Sequence, residues 1–245
     1  MEMTKVNLIP QAGERALIVG QTGSGKTAFA CWLMLRIPET PIIIYDTKIE
    51  PKFRALPNST VVHNIMAAKT VMEESLEFDY IIVEPDDELL DKPEELDAML
   101  MFHYRHMHNT VAYIDEAATF HRNGRAFAGI LALMSRGRSK GITTICSTQR
   151  PRGISRSLIT EAQKIYVMYL ADLDDKKRLN DVIPNYAKLP NPVKHGFYYF
   201  ESAWESPILF RPVTLDKALD TGYTDKTQSN IIEPAYNTGD KHLWV

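Results

Sequence analysis

Residues 20–27 read Gly20-Gln21-Thr22-Gly23-Ser24-Gly25-Lys26-Thr27 and fit the pattern G-x-x-x-x-G-K-[ST]. The chemistry this pattern serves is phosphate binding. Glycines let the backbone turn its N–H groups toward phosphate oxygens, and a helix N-terminus adds positive potential. In such a loop the lysine, here Lys26, reaches the β- and γ-phosphates, and Thr27 offers its hydroxyl to Mg²⁺. The pattern alone arises by chance in about one chain per hundred of this length. Its position, after an apolar run and at the start of an apolar helix, makes chance a poor explanation.

A phosphate loop that works with Mg²⁺ needs a carboxylate on the metal side. Residues 110–116, Thr-Val-Ala-Tyr-Ile-Asp-Glu, supply one at the end of an apolar strand, where ligands bind in α/β sheets. Asp115 is the candidate for the metal's water shell. Glu116, directly after it, can orient and deprotonate an attacking water, and an adjacent Asp-Glu pair favours ATP hydrolysis. Glu84 ends another apolar strand, but Pro85 and the acids behind it make a poorer metal site. Gln149, at the end of a strand closing with Ser147-Thr148, is placed to sense the γ-phosphate.

Several elements must position these groups. Short apolar runs at 15–19, 41–45, 79–83, 110–114, 142–147 and 164–170 predict strands, with a further one within 57–63. Residues 26–37 are apolar nearly all round, as in a helix sandwiched in a core. Helices are also predicted at 65–76, 93–107, 125–136, 154–162 and 171–182. Strands alternating with helices imply an α/β fold: a mostly parallel P-loop NTPase sheet with helices on both faces. Residues 197–201 and 207–211 predict a small terminal β-hairpin. The reading is one ATPase core over 1–211 and a C-terminal tail or arm over 212–245, whose last residues, Leu243, Trp244 and Val245, could dock on the domain or a neighbour.

The chain's 245 residues are 44% hydrophobic and 24% charged, an ordinary globular balance that excludes collagenous, mostly disordered and disulfide-scaffold classes. Cys31 and Cys146 read as reduced core thiols. No apolar run reaches the roughly 20 residues that span a bilayer, and residues 1–13 lack the pattern of a signal peptide. The net charge of −3 hides a partition: residues 73–97 hold twelve acids and one base, whereas 117–160 hold no acid and eight bases. The acidic block is expected to face solvent or a partner.

Taken together, Gly20 to Thr27, Tyr113-Ile114-Asp115-Glu116 and the stretch Arg-Ser-Lys-Gly-Ile-Thr-Thr-Ile-Cys-Ser-Thr-Gln-Arg-Pro at 138–151 resemble the FtsK–HerA superfamily of DNA-pumping ATPases. Asp46-Thr47-Lys48 also looks like that superfamily. The resemblance covers about 15–181. In size the chain is similar to the compact genome-packaging ATPases of tailless membrane-containing phages and archaeal viruses.

The resemblance implies a role. ATP with Mg²⁺ is hydrolysed between subunits of a homo-oligomeric ring that translocates double-stranded DNA into a capsid. It implies Gln149 as sensor and an arginine finger donated in trans, with Arg138 the better match and Arg136 the alternative. It implies an additional strand between the two nucleotide motifs, which 79–83 fits. A capsid vertex or portal protein would be a partner, and the location would be the host cytoplasm or the virion's packaging vertex. The basic loops carrying Lys48, Lys52 and Arg54, and Arg122 and Arg125 with His121, are candidates for DNA phosphate contact. The competing readings are a cellular or plasmid DNA pump of the HerA or conjugation type, a P-loop regulatory NTPase that pumps no DNA, and a structural ring component. His103, His106 and His108 are set aside as a metal site, and Tyr198, Tyr199 and Phe200 are assigned to packing rather than base stacking.

Overall fold

The computed structural model describes residues 6–38, 40–74 and 79–213. In chain order the strands and helices are β1 (Arg15–Val19), α1 (Lys26–Met34), β2 (Ile42–Tyr45), α2 (Pro51–Arg54), β3 (Ser59–Val62), α3 (Ile65–Glu74), β4 (Tyr80–Val83), α4 (Asp87–Leu90) and α5 (Pro93–His106). Then follow β5 (Val111–Ile114), β6 (His121–Arg122), β7 (Arg125–Ala126), α6 (Ala128–Arg136), β8 (Thr143–Thr148), α7 (Arg156–Glu161), β9 (Lys164–Val167), α8 (Leu173–Leu179), β10 (Phe197–Glu201) and β11 (Ile208–Phe210).

Nine strands form one sheet in the order β11-β10-β9-β1-β8-β5-β2-β4-β3. From β9 to β3 the neighbours are parallel; β10 and β11 add an antiparallel edge. The register explains why the chemical residues meet. Val19 lies opposite Thr148, Cys146 opposite Ile114, and Ile114 opposite Tyr45. Gly20, Gln149, Asp115 and Asp46 therefore emerge side by side at the carboxyl ends of adjacent parallel strands, where α/β sheets bind ligands.

Alternate side chains of each strand enter two cores. Leu17 and Val19 pack on one face with Leu96 and Leu100 of α5, Ile130 and Leu133 of α6 and Leu158 of α7. Ala16 and Ile18 pack on the other with Phe29, Trp32 and Leu33 of α1, Phe53 of α2 and Phe197, Tyr199 and Phe210 of the edge hairpin. Burial of each large side chain contributes about 1.5–3 kcal/mol, so α1 is fixed on all sides. Cys31 and Cys146 are free thiols in these two separate cores, and burial pushes each up to about 12.

Some expectations need correction. The strand between the two nucleotide motifs in the sheet is β8; β4, the 79–83 strand, lies between them in sequence but packs between β2 and β3. Arg125 does not start a helix. It sits on the β6–β7 ribbon, turned by Asn123 (φ 52°) and Gly124 (φ 72°), and α6 begins at Ala128. The acidic block does not face outward throughout. Asp97 is buried, its oxygens accepting the N–H groups of Gly129 (2.6 Å) and Ile130 (2.9 Å) at the start of α6. Glu84 is buried too and receives Arg54 through two bonds of 2.7 and 2.5 Å. A carboxylate buried without such donors would cost several kcal/mol, and each of these takes two. His103 is also internal, between the Tyr45 hydroxyl (2.9 Å) and the Thr110 hydroxyl (2.8 Å). Tyr198, Tyr199 and Phe200 are buried. Residues 214–245, which make up nearly all of the expected tail, lie outside the described residues, as does the end of the helix expected at 65–76.

Candidate nucleotide site

The phosphate loop follows β1 and turns into α1 at Lys26. Gly25 has φ 103° and no side chain to cap the helix, so the first-turn N–H groups are presented to an anion. A Cβ on Gly25 would also stand 2.9 Å from His195 Nδ1. At Gly20 the constraint is space: an added Cβ would meet Ser24 Oγ at 2.6 Å and Met168 Cβ at 2.8 Å. The loop is thus wedged between β9's end and the 189–196 loop.

A cleft of about 570 Å³ opens above it, lined by Thr22, Gly23, Gly25, Lys26 and Thr27 of the loop, by Asp115 and Gln149, by Lys48 and Lys52, and by His195, Pro212 and Val213. Lys26 is buried and its Nζ donates to the Gln21 carbonyl at 3.2 Å. Burial lowers its pKa and the Lys48 charge adds to that; Glu116 and Asp115 oppose both. A phosphate would supply the missing counter-charge.

The acid pair is held by neighbouring strands. Asp115 Oδ1 accepts Ser147 Oγ–H at 2.8 Å and the Tyr113 hydroxyl at 3.3 Å. Glu116 has φ 58° and ψ 73°, a left-handed conformation that is uncommon for a residue with a side chain. Its Oε1 accepts the Thr148 hydroxyl (3.0 Å) and the Gln149 N–H (3.3 Å), while Lys48 Nζ donates to its Oε2 at 2.8 Å. Gln149 in turn accepts the Thr22 hydroxyl at 2.8 Å, tying the phosphate loop to the end of β8.

Lys26, Thr27, Asp115, Glu116 and Gln149 are therefore brought together. The hydroxyl and carboxylate at Thr27 and Asp115 are oxygen donors that suit Mg²⁺, an ion that keeps several waters and takes the rest of its shell from phosphates.

The other candidates fall elsewhere. Arg138 and Arg136 line a separate hollow with Arg15, Tyr104, Ser135 and Ser139. Arg15 begins β1 and the phosphate loop follows its end, so these arginines lie at the amino-terminal end of the strands, opposite their own nucleotide cleft. The Arg136 guanidinium is 5.0 Å from the Tyr104 ring centroid. Among the basic loop residues, Arg54 is paired with Glu84 and Arg122 with Glu94. Lys48 points at the acid pair, Lys52 lines the cleft, and Arg125 is exposed on the β6–β7 ribbon. Sequence reasoning missed the contact of Lys48 with Glu116 and the place of His195. The latter has φ 64°, and its Nδ1, 3.2 Å from the Ser24 carbonyl, must carry the proton. Nothing in residue spacing marks it.

No protein-family profile matches the chain. The DNA packaging ATPase P9 of Enterobacteria phage PRD1 is 25% identical over 178 residues, 72% of this chain and 73% of that protein. The genome packaging NTPase B204 of Sulfolobus turreted icosahedral virus 2, solved with AMPPCP, superposes with a TM-score of 0.66 at 17% identity, covering 82% of this chain and 98% of B204. VirB4 of Thermoanaerobacter pseudethanolicus gives a TM-score of 0.61 at 12% identity, over 82% of this chain and 90% of that one. In its motifs and its sheet order the chain is a P-loop ATPase, similar in sequence to P9 and in fold to B204 and VirB4.

Proposed function

We propose that the protein hydrolyses ATP with Mg²⁺ at the subunit interfaces of a homo-oligomeric ring and uses the energy to move double-stranded DNA into a viral capsid. The observation that carries this is the site itself: phosphate loop, Asp115, Glu116 and Gln149 on three adjacent strands. The similarity to P9, a DNA packaging ATPase by name, and to B204, a genome packaging NTPase, supports the DNA and the packaging. B204 structures with AMPPCP and ATP-gammaS support the nucleotide.

The geometry supports a role for each residue. The loop N–H groups and Lys26 hold the phosphates. Bound Mg²⁺, held by Thr27 and through water by Asp115, would neutralise phosphate charge. Glu116 orients the attacking water and takes its proton. Gln149, joined to both the loop and Glu116, reports which phosphate is present. Arg138 sits too far round the sheet to serve its own cleft and is assigned to a neighbour's, where it stabilises charge on the transferred phosphoryl. Lys52 and the β6–β7 ribbon with Arg122 and Arg125 are assigned to the DNA backbone. Among the described residues no helix is long and apolar enough to cross a membrane; a capsid vertex or portal would recruit the ring, in the host cytoplasm or at the packaging vertex. Residues 214–245 are assigned to a C-terminal arm; Pro212 and Val213, which line the cleft, go with the core.

The test is ATP turnover with and without double-stranded DNA for the wild-type protein and Glu116→Gln. DNA-stimulated turnover that the substitution abolishes, with nucleotide binding retained, is the expected result. Normal turnover in the variant would remove Glu116 from its role, and turnover indifferent to DNA would favour a regulatory NTPase.

A further inference from the structure

Lys48 occupies a place that phosphate-loop chemistry alone does not explain. Its ammonium lies 2.8 Å from Glu116 Oε2 and 3.9 Å from Asp115 Oδ2, and it lines the same cleft as Lys26 and Thr27. The backbone beneath it is fixed. Buried Asp46 accepts the N–H groups of Lys48 (3.0 Å) and Glu50 (2.7 Å), Thr47 Oγ1 donates to the Asp115 carbonyl at 3.2 Å, and Phe53 packs edge-on against Tyr113 at 5.4 Å. Ile49, next in the chain, is held at φ 56°, a conformation that a β-branched residue adopts only under constraint. A loop locked in this way aims one residue. What can still move is the Lys48 side chain, a flexible four-carbon stem that is one-third exposed.

Glu116, by contrast, is held from two sides. Thr148 and Gln149 engage one oxygen on the rigid end of β8, and Lys48 engages the other. The Lys48 contact can be exchanged without moving a strand. A γ-phosphate entering the cleft would bring negative charge to a point between Lys26 and the acid pair, within the space that Lys48 already lines.

We infer that Lys48 is a second phosphate-reading lysine: it pairs with Glu116 Oε2 and, when ATP binds, transfers to the γ-phosphate, freeing that oxygen for the attacking water. The inference deepens the proposed ATPase function and rests on it. Lys48 is then a switch between substrate and base, and ADP, which lacks the γ-phosphate, leaves it on Glu116.

The experiment is a double-mutant cycle on nucleotide affinity, using a non-hydrolysable ATP analogue and ADP, each with Mg²⁺, and the wild-type protein, Lys48→Ala, Glu116→Gln and the double variant. Loss of one charge-assisted contact to phosphate predicts about tenfold weaker analogue binding by Lys48→Ala, with ADP affinity unchanged. Glu116→Gln releases Lys48, so it tightens analogue binding in the wild-type background and not in the Lys48→Ala background. Lys48→Arg, which keeps the charge, retains most of the preference for the analogue over ADP. Equal losses for both nucleotides, or a Glu116→Gln effect identical in the two backgrounds, would overturn the inference while leaving the ATPase reading intact. Wild-type protein that binds neither nucleotide would overturn both.

Discussion

Ser147 on β8 donates to Asp115, the residue after β5, at 2.8 Å and accepts the Glu116 N–H at 3.3 Å. One hydroxyl therefore orients the carboxylate of the first acid and fixes the backbone of the second. It can do so because β8 and β5 are parallel neighbours and Cys146 lies opposite Ile114, which brings the next residue of each strand together above the sheet.

Replacing Ser147 with Ala removes both bonds and leaves Asp115 with the longer bond from Tyr113. Loss of an outer partner of a metal-side ligand costs about 10–100-fold in metal affinity or activity. Steady-state ATPase assays across a Mg²⁺ titration are expected to show lower maximal turnover and a higher Mg²⁺ requirement, with nucleotide binding in the absence of metal unchanged. Wild-type Mg²⁺ dependence in this variant would mean that Asp115 needs no support from β8.

His195 makes the opposite kind of contribution. It packs on Gly25 and its ring N–H is bound to the Ser24 carbonyl, so it braces the cradle rather than the acids. His195→Ala is expected to raise KM for ATP several-fold through loss of the brace on the Ser24 carbonyl and of loop order, with kcat changed little. A fall in kcat at constant KM would instead place the 189–196 loop in the hydrolysis step.

The same register shows how far the sequence could be read. The strand-loop-helix at residues 15–37 and the Asp-Glu pair were legible, because phosphate chemistry and burial in a parallel sheet each impose a local pattern. The β6–β7 ribbon was not read, although Asn123-Gly124 is a dipeptide that accepts two successive positive φ angles. The apolar spacing that follows it extends the apparent helix back to Arg125. Lys48, Glu84 and Asp97 were misplaced for a different reason. Their partners, Glu116, Arg54 and the α6 N-terminus, lie 68, 30 and 32 or more residues away. Charge runs read along the chain cannot show which members find a counter-charge across it.

Buried His103 predicts a pH dependence of stability. Burial holds its pKa down to about 3, against about 6.5 in an unfolded chain. Between these values the unfolded chain binds a proton that the fold excludes. The stability this histidine contributes is complete above about pH 6.5 and is lost as the pH falls toward 3. Asp46 and Asp97, whose carboxyls burial raises, act in the opposite sense: their contribution is present at low pH and declines as the pH rises through their folded values. Urea unfolding midpoints followed from pH 7.5 to 4 are expected to fall for the wild type. The slope should be flatter for His103→Gln, even where the variant is less stable at pH 7. Parallel slopes would mean that the Tyr45–His103–Thr110 chain admits the proton while folded.

Arg138 tests the ring. It stands at the amino-terminal end of the strands, opposite the phosphate loop of its own chain, beside Arg15, Arg136 and Tyr104. An arginine there can meet a nucleotide only across a subunit boundary. Arg138→Ala is expected to bind ATP normally and to lose about 10³-fold or more in turnover, as trans fingers do in other NTPases. Lys26→Ala, lacking the phosphate-binding lysine, is expected to be inactive for the separate reason that its own cleft fails. The two inactive proteins should nonetheless complement when mixed, because an Arg138→Ala cleft next to a Lys26→Ala neighbour has both its own Lys26 and an intact Arg138 facing it. Turnover that appears on mixing, with a maximum at intermediate ratios, is the signature of catalysis shared between chains. If the mixture stays inactive while mixed oligomers demonstrably form, Arg138 is not the finger. The same mixing experiment with Arg136→Ala then decides whether the arginine two residues earlier, freed from Tyr104, takes that place.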